Sequence, residues 1–129
     1  MRAYLAVTFD ELSKLLEKQS FAFETAYILT TPFAQNNPDL DEEELEFELS
    51  WQAAQASRSR GDSLDSPGYV LAVDLFNAQI GESRDFQVPL LSEIQWSQVE
   101  SILVSESDEP ELTWYASQEL VTYLPQWMA

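Results

Sequence analysis

Histidine and cysteine are absent from this chain, so its chemistry rests on carboxylates, hydroxyls, amides and aromatic rings. No Ser-His-Asp or Cys-His arrangement is possible. Zinc sites built on imidazole or thiolate are excluded for the same reason. The only glycines are Gly61, Gly68 and Gly81, and no Walker or GxGxxG pattern occurs, so a glycine-rich phosphate cradle is not available.

Four groupings of side chains could do something. The densest is Asp39, Asp41, Glu42, Glu43, Glu44, Glu46 and Glu48. Asp39-x-Asp41-x-Glu43 copies the opening of a calcium loop. It then departs from one, with Glu44 where the loop needs glycine and Ser50 where it needs glutamate. The run reads better as a helix start, where the helix dipole favours anions. No metal ion or other cofactor is expected. Asp74 ends an apolar strand, a position where carboxylates act in many α/β proteins. It has no visible catalytic partner, and a turn-capping role fits it better.

Trp114, Tyr115 and Glu119 form the third grouping, together with Gln118. Such aromatics anchor partners at interfaces, and they also fill the cores of small domains. The fourth is the acidic loop Glu106, Asp108, Glu109 and Glu111, which is solvated on the simplest reading. With the helix start it would give one negative face. The binding candidates are therefore Asp39, Asp41, Glu42, Glu43, Glu106, Asp108, Glu109, Trp114, Tyr115 and Glu119. No residue is assigned a catalytic role.

The charge balance narrows the partners. There are 23 acids against 6 bases, a formal net charge of −17. Such a surface repels phosphate backbones and anionic lipids, so direct nucleic-acid or membrane binding is not expected. It suits a basic protein partner, and it also serves solubility. Hydrophobic residues make up 45% and aromatics 12%, which fits a packed core rather than a disordered acidic chain. No run approaches the roughly 18 apolar residues of a membrane span. The start MRAYLAVTFDEL lacks the features of a signal peptide, which predicts a cytoplasmic protein.

The elements that position these groups follow from the patterning. Met1–Val7 is apolar on both faces and predicts a strand buried on both sides. Thr8-Phe9-Asp10-Glu11 is a capping box, opening a helix from Phe9 to about Gln19. Phe21–Thr31 reads as a second strand and residues 32–40 as a loop. Asp39 or Asp41 caps the next helix, which carries the apolar stripe Leu45, Leu49, Ala53 and Ala56. Arg58 and Arg60 fall in its last turn, and Gly61 follows as the left-handed stop. Residues 61–68 form a polar loop. Tyr69–Leu75 is a central strand, and Pro89 demotes Phe86–Leu91 towards an edge or marks a bulge. Ser97-Gln98-Val99-Glu100 matches a second capping box before a strand at Ser101–Ser105. Leu112–Tyr115 is extended, and Ser117 caps a last helix over Gln118–Leu124. No internal repeat or linker is seen. Together these predict a single α+β domain over residues 1–129: a mixed sheet of about five to six strands packed by two main helices. Strand order and oligomeric state are not legible.

Three stretches carry a family likeness: MRAYLAVTFDELSKLL, DEEELEFELSWQAAQASR and LTWYASQEL. They resemble an uncharacterised actinobacterial protein family that ends in a W-Y-A-x-Q-E-L signature, here Trp114-Tyr115-Ala116-Ser117-Gln118-Glu119-Leu120. Ser117 and Ala6 stand where that family often has proline. The resemblance implies an actinobacterial cytosolic protein and brings no activity with it.

The sequence therefore favours a non-enzymatic acidic interaction module. A small-ligand protein or enzyme using carboxylates near Asp74 or Glu119 is the first alternative, and a structural or oligomer-forming role is the second. One physical consequence holds under all three. Self-repulsion makes the fold weakest at very low ionic strength. Melting temperature should rise between about 10 mM and about 150 mM salt, as the screening length falls from roughly 30 Å to roughly 8 Å. A flat or falling curve would mean that the carboxylates are spread well enough not to repel.

Overall fold

A computed structural model of the 129-residue chain describes residues 2–59, 68–82, 87–105 and 112–119. Arg60, Gly61 and the acidic residues Glu106, Asp108, Glu109 and Glu111 lie outside the described residues, as does the chain beyond Glu119. Strand β1 (Arg2–Val7) is followed by helix α1 (Phe9–Lys18), a short strand β2 (Ser20–Phe21) and strand β3 (Thr25–Tyr27). Helices α2 (Thr31–Asn36) and α3 (Glu42–Ser59) come next. Strands β4 (Gly68–Asp74), β5 (Gln87–Pro89), β6 (Ile94–Gln95), β7 (Val99–Ser105) and β8 (Thr113–Ala116) complete the order. Single 3₁₀ turns occupy Asn77–Gln79 and Trp96–Gln98. The expected α+β architecture is the one adopted.

Six strands make one sheet in the order β5-β3-β1-β4-β7-β8, and β2 pairs with β6 in a second, two-stranded sheet. Every pairing is antiparallel. Strands β1 and β4 are central and apolar on both faces, as their near-continuous hydrophobic runs require. One face, carrying Leu5, Val7, Leu71, Val73 and Ile102, packs against Leu12 and Leu15 of α1 and against Ile94 of the small sheet. The other, carrying Tyr4, Val70 and Ala72, packs against Phe33 of α2 and Leu45, Leu49, Ala53 and Ala54 of α3. Each fully buried Leu or Ile contributes about 1.5–3 kcal/mol relative to exposure.

Capping chemistry sets the helix starts. Glu11 Oε1 accepts from the Thr8 amide at 2.8 Å, and Thr8 Oγ1 accepts from the Glu11 amide at 3.3 Å. Asp41 and Glu44 do the same at the start of α3: Asp41 Oδ1 accepts from the Glu44 amide at 2.8 Å and Glu44 Oε1 from the Asp41 amide at 3.3 Å. Helix α1 stops at Gln19, which takes the left-handed conformation at φ 62°.

Three sequence expectations are corrected. The single strand expected over 21–31 is divided between β2 and β3, because the chain leaves the small sheet at Phe21 and joins the large one at Thr25. The stretch expected to be loop over 32–40 holds α2, whose first turn is capped by the Thr30 hydroxyl and tolerates Pro32. The turn at 96–98 is capped by Gln98, not by a Ser97–Glu100 box: Gln98 Oε1 accepts from the Gln95 amide at 3.0 Å. Glu100 lies in β7, which begins at Val99. Pro89 does sit on an edge strand, as expected.

Helix α3 lies close on the sheet at its C-terminal half. A Cβ on Gly68 would fall 2.5 Å from the Ala54 carbonyl oxygen. Ser57, fully enclosed, donates its hydroxyl to the Val7 carbonyl and accepts from the Tyr69 amide at 2.9 Å. Ser57→Ala leaves both main-chain groups without that partner and should cost about 1–3 kcal/mol. Gly68→Ala must push helix and strand apart, for about 1–3 kcal/mol. Urea denaturation at constant m-value measures both. A Gly68→Ala midpoint within error of wild type would show that the close approach is not tight.

Candidate functional site

Helix α3 controls what the second face of the sheet presents. Its buried positions Leu45, Leu49, Ala53 and Ser57 define the side turned to the strands. At about 100° per residue, Glu46 falls in the middle of that side. It is half-buried there, close enough for its charge to bear on Arg2 and Tyr4. Beneath it are Tyr4, which is buried, and Arg2. Arg2 Nη2 donates to Glu100 Oε2 at 2.6 Å, reaching across β4 to β7. A bulge explains the reach. Ala72 pairs with Ser101 and Val73 with Val99, which leaves Glu100 as the extra residue on β7.

The four groups form one electrostatic cluster. Its hydrogen bond to Glu100 raises the Arg2 pKa, with Glu46 adding to the effect and partial desolvation opposing it. Burial raises the Tyr4 phenol, the Glu46 charge pushes it the same way, and Arg2 opposes both. The phenol is thus held protonated, the reverse of an activated nucleophile or base. Both members of the Arg2–Glu100 pair are substantially exposed, so the pair contributes about 0–1 kcal/mol. The sequence reading missed this cluster, although helical spacing puts Glu46 between Ala53 and Ser57 on the buried side of α3.

The candidates named from sequence fall into separate places. Asp39, Asp41, Glu42 and Glu43 are exposed around the start of α3, with Asp41 engaged in the cap. Trp114 and Tyr115 are consecutive on β8 and point to opposite faces. Tyr115 pairs across from Ile102 and packs against the α1-side core. Trp114 pairs across from Leu103 on the α3 side and is 59% exposed. Glu119 Oε1 accepts from the Ala116 amide at 3.1 Å, so Ala116 caps the final turn and Ser117 is its first helical residue. Asp74 is exposed and directly opposite Arg2, and its carbonyl accepts from Gln98 Nε2 at 2.9 Å. Neither Asp74 nor Glu119 lines the two concavities described next.

One concavity is a shallow depression lined by Leu40, Glu43, Glu44, Phe47 and Glu48. Phe47 is 45% exposed there. Phe47, Trp51, Ala54 and Arg58 run along one flank of α3 at i, i+4, i+7 and i+11. Ala54 and Arg58 lie against Gly68 of β4, so this flank looks towards β7 and β8. Phe47 and Trp114 thus belong to the same side of the molecule. The other concavity is a cavity of about 340 Å³ on the opposite flank, between α1, β1, β3 and Ala56 of α3. Ala6, Ala22 and Ala56 leave it open, and Phe21, Phe23 and Tyr27 wall it beside Glu11 and Glu24. Among the described residues no three acids come together as a metal-holding group, and no helix is long and apolar enough to cross a membrane.

Fold and surface together define a small α+β domain with an acidic, aromatic-bearing face. The chain belongs to a family of unknown function, DUF6912, whose match spans residues 1–124. No curated protein and no solved structure matches it.

The Tyr4 environment has a pH signature. A phenol whose folded pKa lies above its ordinary value near 10 stabilises the fold below about pH 10. That stability is lost as pH rises through the folded value, because the unfolded chain gives up the proton first. Urea midpoints at about pH 9 and about pH 11 should therefore fall more steeply for wild type than for Tyr4→Phe. Equal slopes would mean that Tyr4 ionises as freely as an unfolded tyrosine.

Proposed function

We propose that this protein is a non-enzymatic docking module that binds a basic polypeptide through the α3–β8 face. The observation that carries the reading is Phe47. It is a large apolar ring, 45% exposed, set among Glu43, Glu44 and Glu48. An isolated acidic helix start is only a solvated helix start. A ring left in water amid carboxylates, with Trp114 on the same side, is how an interface is built: aromatic anchors inside a polar rim. Charge complementarity then selects the partner. The side chains of Asp39, Glu42 and Glu43 make no hydrogen bond or ion pair with another described residue, while the cations Arg2 and Lys14 are engaged by Glu100 and Asp10. The segment that fits interleaves Lys or Arg with apolar side chains.

On the same reading the protein works in the cytoplasm, and its −17 charge keeps it off nucleic acid and membranes. An actinobacterial source, and membership of the set ending W-Y-A-x-Q-E-L, rest on the three stretches quoted above.

Capture from cytosol at low and high salt tests the proposal, with wild type and a Phe47→Ser/Trp114→Ser variant run side by side. A basic protein should be retained at low salt and released at about 0.5 M. The double variant should weaken its binding at least about tenfold while keeping the wild-type melting temperature within a few degrees. Retention unchanged by the double variant, or no salt-sensitive partner, would overturn it.

A further inference from the structure

On the flank of α3 away from the docking face, the cavity of about 340 Å³ combines two carboxylates with aromatic walls. We infer that it is a binding site for a small organic cation with an apolar stem, such as an alkylguanidinium or alkylammonium group. Its size lies at the lower end of small-ligand pockets. Glu11 and Glu24 are the charged residues among its described lining, which holds no Lys or Arg. Phe21, Phe23 and Tyr27 supply ring faces and edges for the stem and for cation–π attraction.

The walls are held in place by the fold. Glu11 Oε1 accepts from the Thr8 amide, which orients the carboxylate. Phe21 is pinned through its pairing with Ile94 in the small sheet, and its ring centroid lies 4.7 Å from that of Phe23 at a tilt of 53°. The Glu24 carbonyl accepts from the Leu90 amide at 2.9 Å, which fixes the other end of this segment to the strand β5 region. The site is thus rigid on both sides of Phe23. An apolar core would have closed on itself here. Instead the small residues Ala6, Ala22 and Ala56 line the space together with Glu11 and Glu24. A neutral apolar ligand would meet only the rings, whereas a cation also gains the field of the two acidic residues, Glu11 and Glu24.

Such a cation has two sources: a free amine, or the side chain of a partner's arginine. Amide NMR of the full chain reads the site directly, with agmatine, a Gly-Gly-Arg-Gly-Gly peptide and butanediol as probes. Agmatine or the peptide should shift the amides of residues 21–25 and Ala56 saturably at about 0.15 M salt, and butanediol should not. Tighter agmatine identifies a free amine as the ligand, and a tighter peptide identifies an arginine side chain. Glu24→Gln, at an exposed position, should weaken binding about three- to fivefold. Ala56→Leu, which fills the cavity, should abolish it. The inference fails if butanediol shifts the same amides equally. It fails too if the shifts spread without saturation over Glu42–Glu48, or if no probe shifts residues 21–25. Because the docking face lies on the other flank, Phe47→Ser/Trp114→Ser should leave agmatine binding unchanged.

Discussion

The hydroxyl of Ser57 occupies a place that a main-chain hydrogen bond would otherwise hold. Val7 and Tyr69 are direct partners across β1 and β4, and Ser57 sits between the carbonyl of one and the amide of the other. A helix side chain is thereby written into the sheet ladder. That pins α3 in translation and in rotation about its own axis. Everything else on the helix follows from the rotation. Ala53, Ala54 and Ser57 must be small because the backbone is close, and Gly68 lacks a side chain because Ala54 is already there. About two to three turns towards the N-terminus from Ser57, Leu49 and Leu45 fill the space over Tyr4 and Phe33. Glu46 is half-buried close to Arg2 and Tyr4, and Phe47 is turned out into water. Neither side chain chose its environment; the Ser57 contact set both.

A second polar contact organises the opposite end of the sheet. Gln79 and Gln98 are buried and hydrogen-bond to each other in both directions, at 3.2 and 2.7 Å. Each also caps its own 3₁₀ turn, Gln79 through the Phe76 amide and Gln98 through the Gln95 amide. Their remaining donors go to the carbonyls of Glu93 and Asp74. Every bond here satisfies a group that burial would otherwise leave unpaired, so loss of either glutamine strands several partners at once. The two segments are alike: Leu75–Ile80 and Ile94–Val99 each carry Gln at the fifth position, followed by a β-branched residue. This local likeness joins the end of β4 to the start of β7, and so holds the excursion through β5 and β6 against the sheet.

Local chemistry made much of this fold legible. The Thr8–Glu11 box, the helix beginning after Asp41, the double-sided apolar strands β1 and β4 and the edge position of Pro89 are decided by neighbours in sequence, and the structure has them all. What the sequence hid is decided by distant partners. Residues 21–27 have one β-favouring composition, yet they serve two sheets because Phe21 meets Ile94 while Ala26 meets Val88. Gln98 outcompetes the Ser97–Glu100 box because Gln79 is waiting in the core. Glu100 reaches Arg2 only because β7 bulges. The exposure of Trp114 and the partial burial of Tyr115 depend on β8 being an edge strand, which no window around them encodes. The fold class was therefore readable, and the composition of the site was not.

The carboxylates themselves divide along the same line. Glu11, Asp41, Glu44 and Glu119 serve caps, and Glu100 holds Arg2; each has a main-chain amide or a guanidinium to justify its charge. Replacing any of them would be felt by the fold. Asp39, Glu42 and Glu43 add only the general preference of a helix start for anions, which one or two acids already meet. Further carboxylates there raise repulsion without a compensating contact, and Phe47 beside them gives up burial as well. Both features work against stability at the same place. On the docking reading proposed above, an oppositely charged partner carrying apolar side chains offsets both costs at once.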